Sequence, residues 1–324
     1  MTVSKSQLRV WNDKFNLEEA KLSIEKIIQA VRDDKDGLIF LPRRNGHINV
    51  YYRGTVILDF DGKNFAFNVK YFKYLSPISI VHFPRNGKFA DFESWYEKLR
   101  YMKHAMTERN KSELEKGAQQ KIMQEVNSNP NSKYYILDIE YDYPGIKYGR
   151  FDMIAVSKIS VNGKHKIAVI ELKHGTKAFA GRPTKDNEYG SGIVGHAFNF
   201  YRYIKGTEKE SQGAVEERLR NLSIELASMS EICRRFALPP APYLPELKED
   251  DFDINDIQKW LLCVGCENIK TAQEGVLRYL GYPTTSQKNK INVRDKISPD
   301  WKLDYQVIQE SYLKSLNESD FKIL

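Results

Sequence analysis

The chain has 324 residues, enough for two domains and a sizeable core, and its 41% hydrophobic and 29% charged residues are the composition of a soluble globular protein. No stretch approaches the roughly 20 apolar residues of a membrane span, and the N-terminal MTVSKSQLRVWNDKF has no apolar signal core, so a cytoplasmic location with no membrane partner is expected. The 50 Lys and Arg against 43 Asp and Glu leave a charge of +7, a mild excess that suits a polyanionic partner, and three cysteines argue against a disulfide framework.

In chain order, Asn16 caps a helix predicted over 17–32, with Ile24, Ile27, Ile28 and Val31 at helical spacing. Four strands follow, over 38–41, 47–53, 55–60 and 64–69, the last two joined at Asp61-Gly62, which reads as an antiparallel sheet with a helix packed on it. Tyr51, Tyr52, Tyr71 and Tyr74 interleave with Lys70 and Lys73, a pattern that either stacks bases and neutralises phosphates or simply packs a sheet. A helix over 91–106 leads to polar residues 107–111, where a boundary is expected. Residues 1–106 then form an N-terminal antiparallel β-rich α+β domain for recognition, regulation or assembly, and residues 107–324 form a second domain.

On the helix over 112–126, Glu115 shares an arc with Ala118, Ile122 and Val126, so an acid sits in line with the core-facing stripe. The strand over 134–142 alternates Asp138 and Glu140 with apolar residues, which turns those acids toward solvent or the Pro144-Gly145 loop. Residues 148–175 are two apolar strands joined at Asn162-Gly163, a pair suited to a two-residue type I′ turn. Counting outward from Val161 opposite Lys164 sets Ile154 against Glu171 and Asp152 against Lys173. Asp152, Glu171 and Lys173 then project from one face at the open end, with the two carboxylates diagonal neighbours roughly 7–8 Å apart. The flanking residues are apolar on both faces, as in a strand covered on both sides. Charges there need partners, water or a metal ion, and a structural ion pair of Lys173 with either acid meets that need as well.

Asp152 followed eighteen residues later by Glu171-Leu172-Lys173 at the end of an apolar strand resembles the PD-(D/E)XK nuclease superfamily, with Arg150-Phe151-Asp152 and Ile170-Glu171-Leu172-Lys173 as the matching stretches. The resemblance covers about 109–203 and departs from the family's pattern in having no Pro before Asp152. It implies an α/β fold with a restriction-endonuclease-like mixed sheet flanked by helices. It implies catalytic residues Asp152, Glu171 and Lys173, with Glu115 in the place of the family's helix-borne Glu. Asp152, Glu171 and Glu115 would be ligands for Mg²⁺, with Mn²⁺ as a substitute. The expected activity is phosphodiester hydrolysis of nucleic acid, DNA ahead of RNA, in a restriction or antiviral role, and cutting both strands would favour a homodimer or larger assembly.

After Lys173 a glycine-rich basic loop carries Lys177, Arg182 and Lys185, and a helix over 192–204 places His196, Asn199 and Tyr203 beside its apolar stripe. Asn199 stands about where the family presents a Gln, so His196 and Asn199 with the loop cations Lys177, Arg182 and Lys185 are the expected nucleic-acid contacts. His174 points away from the site. A long helix over 214–237 ends at Pro239-Pro240-Ala241-Pro242, and an acidic linker at 249–253 leads to a buried strand at Trp260. A helix over 271–279, a polar stretch at 287–300 and a strand over 301–308 complete the chain. Cys263 and Cys266 form a lone C-x-x-C whose residues face opposite ways on a strand, which disfavours metal or redox chemistry. Two other functions stay open: a binding module of this fold without turnover, and an α/β metabolic or scaffold protein with a structural ion-pair cluster.

Overall fold

A computed structural model describes residues 7–34, 37–69, 83–84, 86–109, 114–180, 192–239, 244–280 and 303–323. By compactness the chain forms two units, one of Thr2–Gln124 with Ile224–Leu247 and one of Glu125–Ser223 with Lys248–Leu324. Both mix helices and strands, and among the described residues no helix is long and apolar enough to cross a membrane.

The N-terminal unit is a five-stranded antiparallel meander: β1 (Ile39–Arg43), β2 (His47–Tyr52), β3 (Thr55–Phe60), β4 (Phe65–Ala66) and β5 (Lys88–Phe89) in spatial order. Pro42 falls in β1, an edge strand, where its missing N–H leaves no ladder bond unmade. Helices α1 (Glu18–Asp33) and α2 (Phe92–Arg109) bury Ile24, Ile27, Ile28, Trp95 and Met102 in one core with Ile48, Val50, Ile57 and Phe60. Asn16 does not cap α1: Leu17 occupies that position, and the Asn16 carboxamide oxygen accepts a hydrogen bond from Trp11 Nε1 at 3.1 Å. The strand expected over 64–69 contracts to Phe65–Ala66. Tyr51 and Tyr52, weighed as base-stacking residues, are 2% and 6% exposed and belong to sheet packing, while Lys70, Tyr71, Lys73 and Tyr74 lie outside the described residues.

Helix α3 (Leu114–Ser128) shows why residues 114–124 belong with this sheet. The Gln120 carboxamide accepts from the Gly54 N–H at 2.6 Å and donates to the Gly37 carbonyl at 2.7 Å, and Gln124 donates to that same carbonyl. Gly54 closes the β2–β3 hairpin at φ +72°, and a Cβ there would lie 2.2 Å from the Lys116 carbonyl oxygen, so only glycine permits the approach.

The C-terminal unit holds a six-stranded sheet in the order β11-β10-β9-β8-β7-β6. Its strands are β6 (Tyr134–Asp142), β7 (Arg150–Ser157), β8 (His165–His174), β9 (Phe252–Val264), β10 (Asp304–Val307) and β11 (Lys322–Ile323). β8 runs antiparallel to β7 and parallel to β9, and β9 runs parallel to β10. β9 starts at Phe252, so the acidic run read as a linker feeds directly into a strand. Central β8 is apolar because both its faces are covered: Ile167, Ala168, Val169, Ile170 and Leu172 are all 0% exposed. Trp260 is fully buried, stacked on Phe321 and edge-on to Tyr134.

Between β8 and β9 run α4 (Ile193–Lys205) and α5 (Gln212–Arg235), and α6 (Ile269–Tyr279) follows β9. Tyr203, placed on a polar stripe from sequence, is 0% exposed, with its hydroxyl 3.2 Å from that of Tyr141. Cys263 and Cys266 are both fully buried.

Asp138 is also 0% exposed, not turned to solvent. The β6–β7 ladder shifts between Ile136 and Asp138, so simple alternation from Tyr134 cannot be carried through the strand, and this part of β6 is covered on both faces.

Candidate active site

The turn at Asn162-Gly163 has φ of +54° and +75° at its two central residues, with Val161 bridged to Lys164, the geometry that dipeptide favours. The register then slips. Val156 pairs with Ile167 and Ile154 with Val169, so four residues on the first arm face two on the second. Ser157 stabilises the excess: its hydroxyl donates to the Ile159 carbonyl at 2.9 Å and accepts from the Lys166 N–H at 2.9 Å, and its own carbonyl lies 2.7 Å from His165 Nδ1.

A slip of one residue would have sent Asp152 and the Glu171–Lys173 pair to opposite faces. A slip of two preserves the face and brings Asp152 level with Glu171 in place of Lys173.

The β7–β8 pairing ends at Met153 and Ile170, and beyond it the Asp152 side chain substitutes for the missing ladder bond. Its Oδ2 accepts a hydrogen bond from the Leu172 N–H at 2.7 Å. Asp152 is thereby tied to the middle residue of Glu171-Leu172-Lys173, at the carboxyl ends of the parallel strands β8 and β9, where open α/β sheets place their ligands.

Glu171 and Lys173 are 2% and 5% exposed. Lys173 Nζ donates to Glu171 Oε1 at 2.5 Å, and His196 Nδ1, from the first turn of α4, lies 2.9 Å from Glu171 Oε2. Burial alone would raise the Glu171 carboxyl, but His196 and Lys173 beside it outweigh burial and hold it below the usual carboxylate range. The carboxylate is therefore ionised at neutral pH inside an apolar sheet.

The expected nucleic-acid contacts separate. His196 is a direct partner of Glu171, Asn199 is half-buried one turn further along α4, and Lys177 is exposed on the short turn Thr176–Phe179 after β8. Arg182 and Lys185 lie outside the described residues. Glu115 is half-buried near the start of α3, within the N-terminal unit. His174 packs its ring against Gly265, where an added Cβ would come within 2.6 Å of the imidazole. His196 as the second partner of Glu171 was not read from the sequence. The available signal was its place at the edge of the Ile193, Ala197, Phe200 and Ile204 stripe, in the first turn after a glycine-rich segment.

Among the described residues no three His, Cys, Asp or Glu side chains converge as a metal-holding group. Asp152 and Glu171 nonetheless supply carboxyl oxygen donors of the kind a hard divalent ion takes, and magnesium is commonly bound by one or two carboxylates with water completing its shell. The donor chemistry fits such an ion. Both oxygens of Glu171 are engaged by Lys173 and His196, so binding would exchange one of those contacts.

Compared with protein-family models, with curated proteins and with solved structures, the chain matches none.

Proposed function

We propose that the chain is a metal-dependent nuclease of the PD-(D/E)XK type, with the C-terminal unit as a restriction-endonuclease-like domain that hydrolyses phosphodiester bonds, DNA ahead of RNA. The observation that carries this reading is the bond from the Leu172 N–H to Asp152, which joins the acid of one strand to the Glu-x-Lys of the next at a strand end. A role in restriction or antiviral defence, inside the cytoplasm and as a dimer, accords with it by analogy.

Asp152 and Glu171 would hold Mg²⁺ or Mn²⁺, and the ion when bound would lower the pKa of a water and neutralise phosphate charge. The remaining chemistry belongs to side chains of this chain. Asp152, fixed by the Leu172 amide, has one orientation relative to Glu171. Glu171 is kept ionised by Lys173 and His196, and so presents charge at neutral pH. The Lys173 ammonium, buried and held by Glu171, is a preorganised cation for the charge that develops on a scissile phosphate, and burial strengthens that interaction.

The deciding experiment incubates the protein with linear duplex, circular duplex, single-stranded DNA and RNA, each with Mg²⁺, Mn²⁺ or chelator, beside Lys173→Gln. Glutamine keeps a donor for Glu171 while removing the charge. Metal-dependent cleavage that falls by about 100-fold or more in the variant is the expected result, on the scale of losing one charge-stabilising donor. Undiminished cleavage by Lys173→Gln removes the assignment.

A second reading draws on a specific observation. Both Glu171 oxygens already have partners in a site only a few per cent exposed, the arrangement of a structural ion-pair cluster in a protein without turnover. That reading gains if metal neither stabilises the protein nor promotes cleavage while Glu171→Ala unfolds it.

A further inference from the structure

A groove of about 460 Å³ on the N-terminal unit is lined by Tyr52, Tyr96, Leu99, Arg100, Lys103, His104 and Thr107. Most of these come from one face of α2: Tyr96, Arg100, Lys103 and Thr107 follow at intervals of four, three and four residues. The adjoining face of α2 carries Trp95, Met102, Ala105 and Met106 into the core, so the helix is anchored beside its groove face.

Two features of that face are unusual for a solvated helix surface. Tyr96 is 50% exposed and stacks on Phe92 with ring centroids 5.4 Å apart and planes 17° from parallel, which leaves a supported aromatic face available. Arg100 is exposed, with its guanidinium 5.3 Å from the ring of Tyr101, itself 41% exposed. His104 is exposed one turn further on. Lys103 is committed to Asp34 at 2.5 Å and lies over the Tyr52 ring, so it sets the floor of the groove and is not the principal phosphate contact. The lining residues include no acid.

We infer that this groove binds single-stranded nucleic acid, with a base stacked on Tyr96 and backbone phosphates met by Arg100 and His104. Positive charge answers the phosphates. A supported, exposed aromatic face answers the base, and requires the base to be unpaired, because both faces of a paired base are covered in the duplex. An acidic peptide would satisfy the charges and leave the stacking platform without a purpose. The inference goes beyond the proposed nuclease and holds whether or not the C-terminal unit cuts.

The test is fluorescence anisotropy of a labelled oligothymidylate of about 15 nucleotides, titrated with full-length protein in chelator across a range of salt. Chelator keeps hydrolysis out of the readout, so failure of the nuclease reading and failure of this one are separable. Tyr96→Ala should weaken binding about tenfold, and Tyr96→Phe, which keeps the ring, should retain it. Arg100→Ala should weaken binding and reduce the slope of log affinity against log salt by about 0.7, the value for one phosphate contact on a single strand. The inference is overturned if the parent shows no binding, or if Tyr96→Ala and Arg100→Ala bind like the parent. It is equally overturned if polyglutamate displaces the oligonucleotide at equal charge concentration, which would mark the groove as a site for an acidic protein segment. Melting curves of each variant show that the fold is retained.

Discussion

Beside the five-stranded sheet a neutral amide matches backbone groups, where Gln120 bridges the Gly54 N–H and the Gly37 carbonyl. At the end of β8 an ion pair is enclosed: the Glu171 carboxylate meets the Lys173 ammonium and the His196 ring, on a strand whose Ile167, Ala168, Val169, Ile170 and Leu172 are fully buried. Neutral hydrogen bonds satisfy backbone groups at modest net gain, whereas enclosed charges cost several kcal/mol each unless matched. A buried ion cluster at a strand end is therefore an expensive arrangement for stability alone, and that expense is a physical reason to look there for chemistry.

The contrast makes ordered predictions. Glu171→Ala leaves the Lys173 ammonium buried without its carboxylate and should cost about 3–5 kcal/mol in urea unfolding, while Glu171→Gln should cost less. Gln120→Ala takes the partner from the Gly54 N–H, while the Gly37 carbonyl keeps Gln124, and should cost about 1–3 kcal/mol. If Gln120→Ala proves the more damaging, the ionic and neutral sites are not distinguished as described.

A smaller effect is expected at the turn after β3. Burial would raise the Asp61 carboxyl, but the backbone N–H groups of Asn64 and Lys63 and the Asn64 carboxamide hold it at about 2, against 3.8 ordinarily. A carboxyl lowered in the folded state contributes stability that is complete above its unfolded value and lost as pH falls through the folded one, here between about pH 4 and pH 2. Asp61→Asn should remove that part of the acid dependence, measured as the difference in unfolding midpoint between the two variants across the window. The smallest effect is expected for Glu115→Gln, within about 0.5 kcal/mol of the parent because the residue is half-buried near a helix start. If cleavage is also unchanged in that variant, Glu115 is not a ligand.

Much of this arrangement follows from local pattern. The Asn162-Gly163 turn needs positive φ at two successive residues, and this dipeptide tolerates it. The apolar run of β8 marks a strand buried on both faces. Glu171 and Lys173, two apart on one strand, must share a face wherever the strand lies, and they are found in contact. The core-facing residues of α1 followed their helical spacing.

Other features are not given by local pattern. The two-residue slip in the β7–β8 register is held by hydrogen bonds of Ser157, and turn counting does not anticipate it. Asp138 is buried on a strand whose ladder shifts at its side, and alternation fails at such a shift. Gln120 and Gln124 belong with a sheet whose bonded groups lie more than 60 residues away. His196 joins Glu171 only because the chain returns after β8 as a helix over the strand end. The sequence by itself determined which residues are apolar, where the turns fall and that an acid and a lysine share one strand face, since these rest on neighbours in the chain. Register, burial of charge and the partners of Glu171 were decided by the tertiary structure alone, because they depend on which distant groups arrive to satisfy them.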